Sequence, residues 1–383
     1  YEMSASLVGS EMCIRDRRIS MIRVLQIVTY MGRGGLETMI MNYYRNIDRN
    51  KVQFDFLVHR QEEADYDKEI VALGGKIYHM PMLNPFSKSY FNALDSFFKE
   101  HKYDIVHCHL DCMSAYPLKI AKKNGVRVRI AHSHSKSQDK NIKYPIKLYS
   151  KRLIPQYATH LFSCGKEAGD WMFCGHEYTI INNAIDAQKY LFNRDVAKKV
   201  RTELNINDDA LVVGHVGRFN PPKNHDFIID VFNKIYQKNN TAKLILVGAG
   251  NGQQNIIDKV KNLALSDSVL FLGNRTDVNK ILQAMDVFLF PSLYEGLPLS
   301  IIEAQAAGLP CVISDNVPPE CIKTDRVFHY SLEKPLDFWA NKIIEAAKIE
   351  KNDTYDEIVA SGFDIKNNAN KLQNFYTSFC YGE

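Results

Sequence analysis

Short apolar runs alternate with longer amphipathic stretches along most of the 383-residue chain. The runs are four to six residues long and bounded by turn residues, which is typical of buried strands, and helical spacing fills the stretches between them. Such alternation favours an α/β fold with parallel sheets, and the number of runs fits two sheets better than one. The predicted strands are 24–28, 54–58, 76–79, 105–108, 126–131, 159–163, 211–216, 243–247, 269–272, 287–290 and 310–314.

The break between the two sheets is predicted within 182–201, where a strand end is followed by looser, charged sequence. We therefore predict a first domain of residues 21–186 and a second of residues 187–365. Open parallel sheets bind ligands beyond the carboxyl ends of their strands, so two facing sheets would enclose a cleft.

Residues 1–20 differ from the rest of the chain. They show neither strand alternation nor a helical stripe, and they lack the apolar segment of a signal peptide. We predict a non-native or disordered leader, with Met21 as the true start. The sequence contains no run of 18 or more apolar residues, so we predict no transmembrane helix. The net charge of +4 is too small to indicate nucleic acid, and eight scattered cysteines favour a reducing cytoplasm.

The segment from Glu295 to Glu303 carries the most specific chemistry. It follows the predicted strand 287–290 and opens a helix that Gly308 and Pro310 end. Two carboxylates therefore lie near one helix N-terminus. The free amides of a helix N-terminus favour a phosphate, and carboxylates accept hydrogen bonds from hydroxyls. Phosphate and hydroxyls together describe a sugar nucleotide.

A cationic loop follows the predicted strand 211–216. It begins with Gly217 and carries Arg218 and Lys223, a guanidinium and an ammonium that together can grip a diphosphate. The alternative is a pair of solvated loop cations. We expect the loop cations to act with the Glu295–Glu303 segment.

Two further strand ends are weaker candidates. Gly248 and Gly250 follow strand 243–247, where glycines allow either a tight turn or a close approach of backbone to a ligand. Arg275 follows strand 269–272 and either reaches the nucleotide or pairs with Asp277.

In the first half, Gly34 and Gly35 form a turn after the first strand. The G-x-G-x-x-G pattern is not met, and no convincing ribose-binding acid lies about 20 residues further on, so no nicotinamide cofactor is predicted.

Histidines occur at two strand ends, as His107 with His109 and as His132 with His134. Their spacing fits no standard zinc finger, and we expect alternate strand residues to point to opposite faces, so we predict no metal site. The histidines either belong to a polar core or, for His132, donate a hydrogen bond to a sugar or phosphate.

Residues 119–152 form a basic stretch, with a single acid, Asp139. Such a stretch suits an anionic membrane surface or a diphosphate-linked acceptor, and a solvated face is the alternative. No recognition motif accompanies it, so we predict no nucleic-acid partner. Its eleven basic residues are Lys119, Lys122, Lys123, Arg127, Arg129, Lys136, Lys140, Lys143, Lys147, Lys151 and Arg152.

From Met21 to the C-terminus, the sequence resembles the retaining glycosyltransferases of family 4, and residues 162–169 look like the bacterial exopolysaccharide and capsule branch. The resemblance implies the GT-B fold, with two Rossmann-like domains facing a central cleft and a C-terminal helix, 366–383, that crosses back to the first domain. It rests on Gly34-Gly35-Leu36-Glu37, Ala131-His132-Ser133-His134, Asn183-Ala184-Ile185-Asp186, Gly217-Arg218 with Lys223, Gly248-Ala249-Gly250, the Glu295 and Glu303 pair and the stretch 290–315.

The resemblance also implies site roles. Arg218 and Lys223 would hold the donor diphosphate, Glu303 the ribose hydroxyls and Glu295 the donor sugar, while His132 would lie beside the sugar and leaving group. The implied catalytic residues are Arg218, Lys223, Glu295 and His132. The implied donor-binding residues are Gly34, Gly35, Gly217, Gly248, Gly250, Arg275, Gly296, Leu299, Ser300 and Glu303.

The predicted function is therefore transfer of a sugar from a nucleotide sugar, a UDP-sugar, to a lipid-linked or saccharide acceptor. Retention by front-side displacement fits the lack of an obvious carboxylate nucleophile on the first domain. No cofactor or metal is implied, and the expected location is cytoplasmic, peripheral on the inner face of the plasma membrane. The alternatives are a sugar-nucleotide epimerase or hydrolase on the same two-domain plan, and a degenerate nucleotide-sugar binding protein.

Overall fold

The computed structural model describes residues 21–135, 142 and 144–379, so the leader predicted for residues 1–20 lies outside the described residues. The chain divides into two compact units. The first unit ends at Ile181 and takes up the chain again from Ala369, and the second unit comprises Asn182–Asn368. Each unit is built on one parallel sheet, as the alternation of strands and helices predicts.

The first unit has a seven-stranded sheet in the order β3-β2-β1-β4-β5-β6-β7. Every pairing is parallel, and buried residues dominate the central strands because helices cover both faces. The strands are β1 (Ile22–Ile27), β2 (Val52–Val58), β3 (Ile77–His79), β4 (Ile105–Cys108), β5 (Val128–Ser133), β6 (His160–Ser163) and β7 (Thr179–Ile180).

The helices of the first unit bury apolar faces against the sheet. In the third, Ser87 caps the N-terminus by accepting a hydrogen bond from Tyr90 N, and Leu94 and Phe98 enter the core. The helices are α1 (Gly35–Asn46), α2 (Asp67–Ala72), α3 (Lys88–Glu100), α4 (Ala115–Lys123), α5 (Tyr144–Tyr157) and α6 (Lys166–Phe173).

The second unit has a six-stranded parallel sheet in the order β10-β9-β8-β11-β12-β13. The strands are β8 (Val212–Val216), β9 (Lys243–Val247), β10 (Val269–Phe271), β11 (Val287–Phe290), β12 (Cys311–Ser314) and β13 (Val327–Tyr330). The helices are α7 (Ala187–Tyr190), α8 (Arg194–Glu203), α9 (His225–Lys238), α10 (Gln253–Asn262), α11 (Val278–Ala284), α12 (Leu299–Ala306), α13 (Leu336–Ala346) and α14 (Tyr355–Ala360).

The last helix, α15 (Ile365–Ser378), returns the chain to the first unit, as predicted. It begins among residues of the second unit, and from Ala369 onward it belongs to the first. There Gln373 Oε1 accepts a hydrogen bond from Asp48 N at 2.7 Å, and the ring of Tyr376 packs edge-on against Phe54. These contacts bind the end of the chain to the first unit.

Three strand predictions need correction. The strand predicted for 126–131 runs instead from Val128 to Ser133, because His132 and Ser133 are buried and continue the pairing with β6. The short strand β13 was missed, and β7 was recognised only as a strand end beginning at Ile180. Both strands lie at sheet edges, β7 exposed and β13 partly exposed, so neither forms the continuous apolar run by which a buried strand is recognised.

Candidate functional site

The second sheet reverses its strand order between β8 and β11, which lie side by side. Connections leave these two strands in opposite directions, so a crevice opens beyond their carboxyl ends. Lys223 follows β8 and Glu295 follows β11. The predicted cation and carboxylate therefore come from the two strands that flank the point where α/β sheets bind their ligands.

Main-chain contacts hold the loops after β8 and β11 together. Leu293 N donates to Pro222 O at 2.8 Å, and Asn224 Nδ2 donates to Pro291 O at 3.1 Å. Asn224 follows a 3₁₀ turn, Pro221–Lys223, and takes a left-handed conformation with φ of 55°, which asparagine tolerates better than most residues. The sharp turn and the two bonds fix the position of Lys223 relative to the next loop.

Lys223 and Glu295 form a close ion pair. Lys223 Nζ lies 2.7 Å from Glu295 Oε1, and the side chains are only 16% and 12% exposed. The ammonium also lies 4.5 Å from the centroid of the Phe290 ring, within the range of a cation–π contact. Because little water screens the pair, its charges act strongly on each other and on any anion that enters the crevice.

The glycines of the neighbouring loops allow close backbone packing. Gly217 N donates to Val247 O and Gly248 N donates to Gly273 O, which joins the loops after β8, β9 and β10. Gly248 has φ of +135°, and a Cβ there would overlap the carbonyl oxygen of Gly217. A Cβ at Gly250 would likewise overlap the carbonyl oxygen of Phe219. The glycines thus serve loop-to-loop contact directly, whatever they also contribute to ligand binding.

The helix α12 follows the Glu295 loop, with Leu299 and Ser300 in its first turn. Its N-cap is Pro298, and within the described residues no side chain caps its amides. Glu303 lies one turn further on, where its Oε1 accepts a hydrogen bond from Tyr190 OH at 2.8 Å. Burial raises the pKa of Glu303, and the Tyr190 hydrogen bond opposes that rise.

The remaining predicted donor residues lie on the loops after β8, β10 and β11. Arg218 is exposed on the loop after β8, and Gly296 is exposed beside Glu295. Arg275 makes a bidentate pair with Asp277, at 2.9 and 2.8 Å. The structure thus realises the pairing with Asp277 that the sequence left open, while a role for Arg275 in donor binding stays a prediction.

Two histidines of the second unit were missed. His215 Nδ1 donates a hydrogen bond to Leu289 O at 2.9 Å, because a carbonyl oxygen can only accept. The bond links β8 to β11 where the sheet order reverses. His225 stacks on Phe219 at 4.1 Å between ring centroids, and burial lowers its pKa to about 4. A polar residue inside an apolar strand was the available signal for His215.

In the first unit, four histidines converge where the strand order again reverses, between β1 and β4. His107 and His109 stack with ring centroids 4.3 Å apart, and His132 and His134 do so at 4.1 Å. The expectation that alternation would separate the histidines was wrong. Residues two apart share a strand face, and it is Cys108 that points the other way, into the apolar core.

Hydrogen bonds connect these histidines in pairs. His107 Nε2 lies 3.0 Å from His132 Nδ1, and His109 Nδ1 lies 2.9 Å from His134 Nε2. Burial lowers the pKa of all four well below 6.5, and that of His134 to about 3. All four rings are therefore neutral at physiological pH.

Nitrogens of His107, His109 and His132 lie within 4.8 Å of one another, a spacing that could suit a metal ion. Both nitrogens of His107 and of His109 already make hydrogen bonds, however, so a metal would have to displace them. The donor set fits a hydrogen-bonded network better than a ligand shell, and the absence of a metal site stays a prediction.

Gly34 and Gly35 lie at the start of α1, directly after β1. Gly34 is the N-cap, and a Cβ there would overlap the carboxylate of Glu37, which folds back over the first turn. Gly35 is exposed. This turn and the histidines lie at the carboxyl ends of neighbouring parallel strands, β1, β4 and β5.

Two parallel sheets in one chain, each with its polar residues at the strand-order reversal, define the GT-B class of glycosyltransferase fold. The chain belongs to the glycosyltransferases. The family model described as Glycosyltransferase Family 4 matches residues 33–189, and the model described as Glycosyl transferases group 1 matches residues 196–357.

Known proteins resemble the chain over most of its length. The putative glycosyltransferase EpsF of Bacillus subtilis is 34% identical over 371 residues, covering 92% of this chain and 96% of that protein. An Escherichia coli UDP-Gal:α-D-GlcNAc-diphosphoundecaprenol α-1,3-galactosyltransferase is 27% identical, covering 74% and 78%. Anabaena HepE, solved in complex with UDP and glucose, superposes with a TM-score of 0.69 at 18% identity, covering 92% and 95%.

Within the described residues, no helix combines the length and the apolar character that a membrane span requires.

Proposed function

We propose that the protein transfers a sugar from a UDP-sugar to a lipid-linked or saccharide acceptor, in the synthesis of a bacterial surface polysaccharide. The Lys223–Glu295 pair at the strand-order reversal of the second sheet carries the proposal. The names of two relatives support its finer parts. The Escherichia coli relative uses UDP-Gal and a diphosphoundecaprenol acceptor, and a Staphylococcus aureus relative, CapH, acts in capsular polysaccharide biosynthesis.

In the proposed donor site, different residues bind different chemical groups of the nucleotide sugar. Lys223 and Arg218 bind the diphosphate and stabilise the charge that develops on it as the glycosidic bond breaks. Leu299 and Ser300 offer first-turn amides to the phosphates. Glu303 accepts hydrogen bonds from the ribose hydroxyls, for which its carboxylate is already oriented by Tyr190.

Glu295 holds Lys223 in the free protein, and an arriving diphosphate competes for the same ammonium. A lysine ammonium has three donors, so it can bond an anion and the carboxylate together. Glu295 would then be positioned to accept a hydroxyl of the donor sugar. These cations and the helix end supply the positive charge that a divalent metal provides elsewhere, which supports metal-independent transfer.

Retention is proposed to follow from front-side displacement. Asp111 is a carboxylate that follows β4 in the first unit, and its two oxygens accept hydrogen bonds from His134 N and Ser135 Oγ, both at 3.0 Å. That engagement suits a structural role better than a nucleophile. The anomeric configuration of the product, measured by NMR, tests the stereochemistry, and an inverted product would refute it.

The donor assignment is tested first by a thermal-shift screen of nucleotide sugars, because a ligand that binds the folded state raises the melting temperature. With the best donor, Lys223→Ala and Arg218→Ala are each expected to lower transfer at least tenfold, which corresponds to about 1.4 kcal/mol of lost transition-state stabilisation.

Lys259→Ala is the matched control, since Lys259 pairs with Asp230 at 2.8 Å on the surface of the same unit. Its transfer rate should stay within about twofold of wild type. Wild-type rates in both site variants would remove the diphosphate assignment. Donor turnover to a new sugar isomer without any acceptor would identify an epimerase instead.

Peripheral membrane binding through residues 119–152 is a weaker part of the proposal. Lys122 and Arg129 donate to main-chain oxygens, and Lys123 pairs with Asp95, so part of the basic stretch serves the first unit itself. Ile142 and Tyr149 are exposed apolar side chains within it. Lys136, Lys140 and Lys143 lie outside the described residues.

Binding to anionic liposomes should therefore be weak and should fall as salt rises, because exposed charges are screened within about 10 Å at 0.1 M ionic strength. Co-sedimentation with liposomes of increasing anionic lipid content measures it. Binding that ignores lipid charge and salt would contradict the assignment.

A further inference from the structure

The four histidines of the first unit form two hydrogen-bonded chains, which begin at Tyr376 and Gln26 and end at His132 and His134. One chain runs from Tyr376 OH to His107 Nδ1, at 2.7 Å, and from His107 Nε2 to His132 Nδ1. The other runs from Gln26 Oε1 to His109 Nε2, at 2.8 Å, and from His109 Nδ1 to His134 Nε2. Burial raises the pKa of Tyr376, and an interaction with Gln26 opposes that rise, which indicates that the Gln26 amide faces the Tyr376 hydroxyl.

The amide of Gln26 gives each chain a direction. Its oxygen can only accept, so His109 donates from Nε2, which leaves His109 Nδ1 to accept from His134 Nε2. Its NH₂ group can only donate, so it faces the oxygen of Tyr376, and the Tyr376 hydroxyl donates a hydrogen bond to His107 Nδ1. His107 then donates from Nε2 to His132 Nδ1.

Each ring is neutral, because burial holds its pKa below the physiological range. A neutral imidazole has one donor and one acceptor nitrogen, so the last atom of each chain is determined by the bonds before it. His132 Nε2 must carry a proton, and His134 Nδ1 must carry a lone pair. Among the described residues, neither of these two atoms has a hydrogen-bond partner, and both are buried.

Buried polar atoms are costly to leave unpaired, and here a donor and an acceptor lie on rings stacked 4.1 Å apart. A hydroxyl group satisfies both at once, since it accepts from one nitrogen and donates to the other. We propose that His132 Nε2 and His134 Nδ1 bind one hydroxyl group, and that Tyr376 and Gln26 are positioning residues that fix the polarity of the pair.

The assignment of that hydroxyl to a saccharide substrate rests on the proposed function. A water molecule offers the same chemistry and is the other source. Because the rings stay neutral, the pair binds and orients the hydroxyl and does not remove its proton. His134 thereby gains a role in binding that its place in the sequence motif alone did not define.

The tautomers of His132 and His134, which determine which nitrogen donates and which accepts, can be measured without any substrate. In protein labelled with ¹⁵N-histidine at pH 7.5, two-bond ¹H–¹⁵N NMR spectra should show the Nε2–H tautomer for all four histidines. Tyr376→Phe removes the donor to His107 and should abolish the single tautomer at His107 and His132. Tyr90→Phe is the matched control, because Tyr90 OH bonds a different buried histidine of the same unit, His59, at 3.0 Å.

The source of the hydroxyl is distinguished by transfer kinetics. His134→Asn places an amide oxygen near the position of Nδ1 and should keep kcat/KM within about threefold of wild type. His134→Leu should lower kcat/KM about tenfold, the effect of one lost hydrogen bond. Tyr376→Phe should lower it while Tyr90→Phe does not. If His134→Leu transfers at the wild-type rate, the pair holds only water and the saccharide assignment is wrong.

A proton on His134 Nδ1, or an unprotonated Nε2 on His132, would overturn the proposal outright. So would stoichiometric retention of Zn²⁺ that His132→Ala abolishes, because the same nitrogens would then be metal ligands. If no sugar is transferred to any acceptor tested, the proposed function fails but the tautomer result still decides the polarity of the pair.

Discussion

The strand-order reversals of the two sheets have the same topology and opposite chemistry. In both units the first strand lies beside the fourth, and polar side chains gather beyond their carboxyl ends. In the second unit those side chains include a charged pair, Lys223 with Glu295, shielded from water. In the first unit they are neutral imidazoles bonded to one another. Topology therefore determines where a ligand can bind, and the side chains at that place determine which ligand.

The two solutions treat buried charge differently. The second unit keeps its charges and compensates them by pairing, which leaves a strong field for an anion. The first unit removes charge, because burial lowers the pKa of its histidines. A neutral, hydrogen-bonding surface suits alcohols, whereas a charged one suits a diphosphate. Under the proposed function, the two units therefore bind different chemical groups of the substrates.

The largest expected difference is in acid stability. A histidine whose folded pKa lies below its unfolded value of about 6.5 binds more protons when unfolded, so its unit loses stability as pH falls below 6.5. Each such residue costs about 1.4 kcal/mol per pH unit. The four clustered histidines of the first unit should therefore cost about 5 kcal/mol per pH unit, and His215 and His225 in the second about 3.

Each unit contains one of the two tryptophans, Trp171 in the first and Trp339 in the second. Urea unfolding of Trp339→Phe and of Trp171→Phe, followed by fluorescence at pH 7.5 and pH 5.5, reports the units one at a time. The free energy of unfolding should fall more steeply in the first unit. Equal slopes would show that the histidine cluster is not held neutral.

Substitution of one glycine in each unit compares how closely the backbone of their loops is packed. Gly248→Ala, in the second unit, places a Cβ against the Gly217 carbonyl at φ of +135°, and should cost about 3 kcal/mol in strain and overlap. Gly34→Ala, in the first unit, meets only the movable carboxylate of Glu37 and should cost under about 1 kcal/mol. Urea unfolding measures both, and equal costs would mean that the loops of the second unit are not fixed by close packing.

A smaller effect is expected from two tyrosine–carboxylate bonds. Tyr190→Phe removes the hydrogen bond to Glu303 and should destabilise the second unit by about 1 kcal/mol. Because that bond lowers the pKa of Glu303, its loss should raise the pH at which UDP binding, measured by calorimetry, reaches half its maximum.

Tyr178→Phe removes the matched bond to Asp170, at 2.6 Å on the surface of the first unit. It should change stability by less than about 0.5 kcal/mol, since water replaces an exposed hydrogen bond. Equal losses of stability in Tyr190→Phe and Tyr178→Phe would show that the hydrogen bond to Glu303 contributes no more than an exposed one.

The fold could be predicted from the sequence because its signals are local. The apolar run 244–247 in the predicted strand 243–247 and the run 287–290 are typical of buried strands between helices, and the structure confirms both strands. Edge strands gave no such signal, since one face of β13 is partly exposed. The strand β5 was ended too early because polar residues at its carboxyl end, His132 and Ser133, resemble a loop until their pairing with β6 is known.

The site could be predicted only in part, for the same reason. Lys223 and Glu295 each follow a recognisable strand, and in a parallel sheet the loops that follow the strands lie at the same end of the sheet. Tyr190 and Tyr376 lie 113 and 269 residues from the side chains that they orient, so no local pattern connects them. Gln26 did leave a signal, a buried polar residue within the otherwise apolar run 24–28, but its partners become evident only in three dimensions.

The return of the last helix to the first unit has a consequence for biosynthesis. A chain emerging from the ribosome presents the whole of the second unit before it presents Tyr376, which packs on Phe54 and donates to His107. The first unit is thus translated first but can complete its folding only after the second unit has been translated. A polypeptide released a few residues short should possess an intact second unit and an incompletely folded first unit, a state that quality-control proteases recognise.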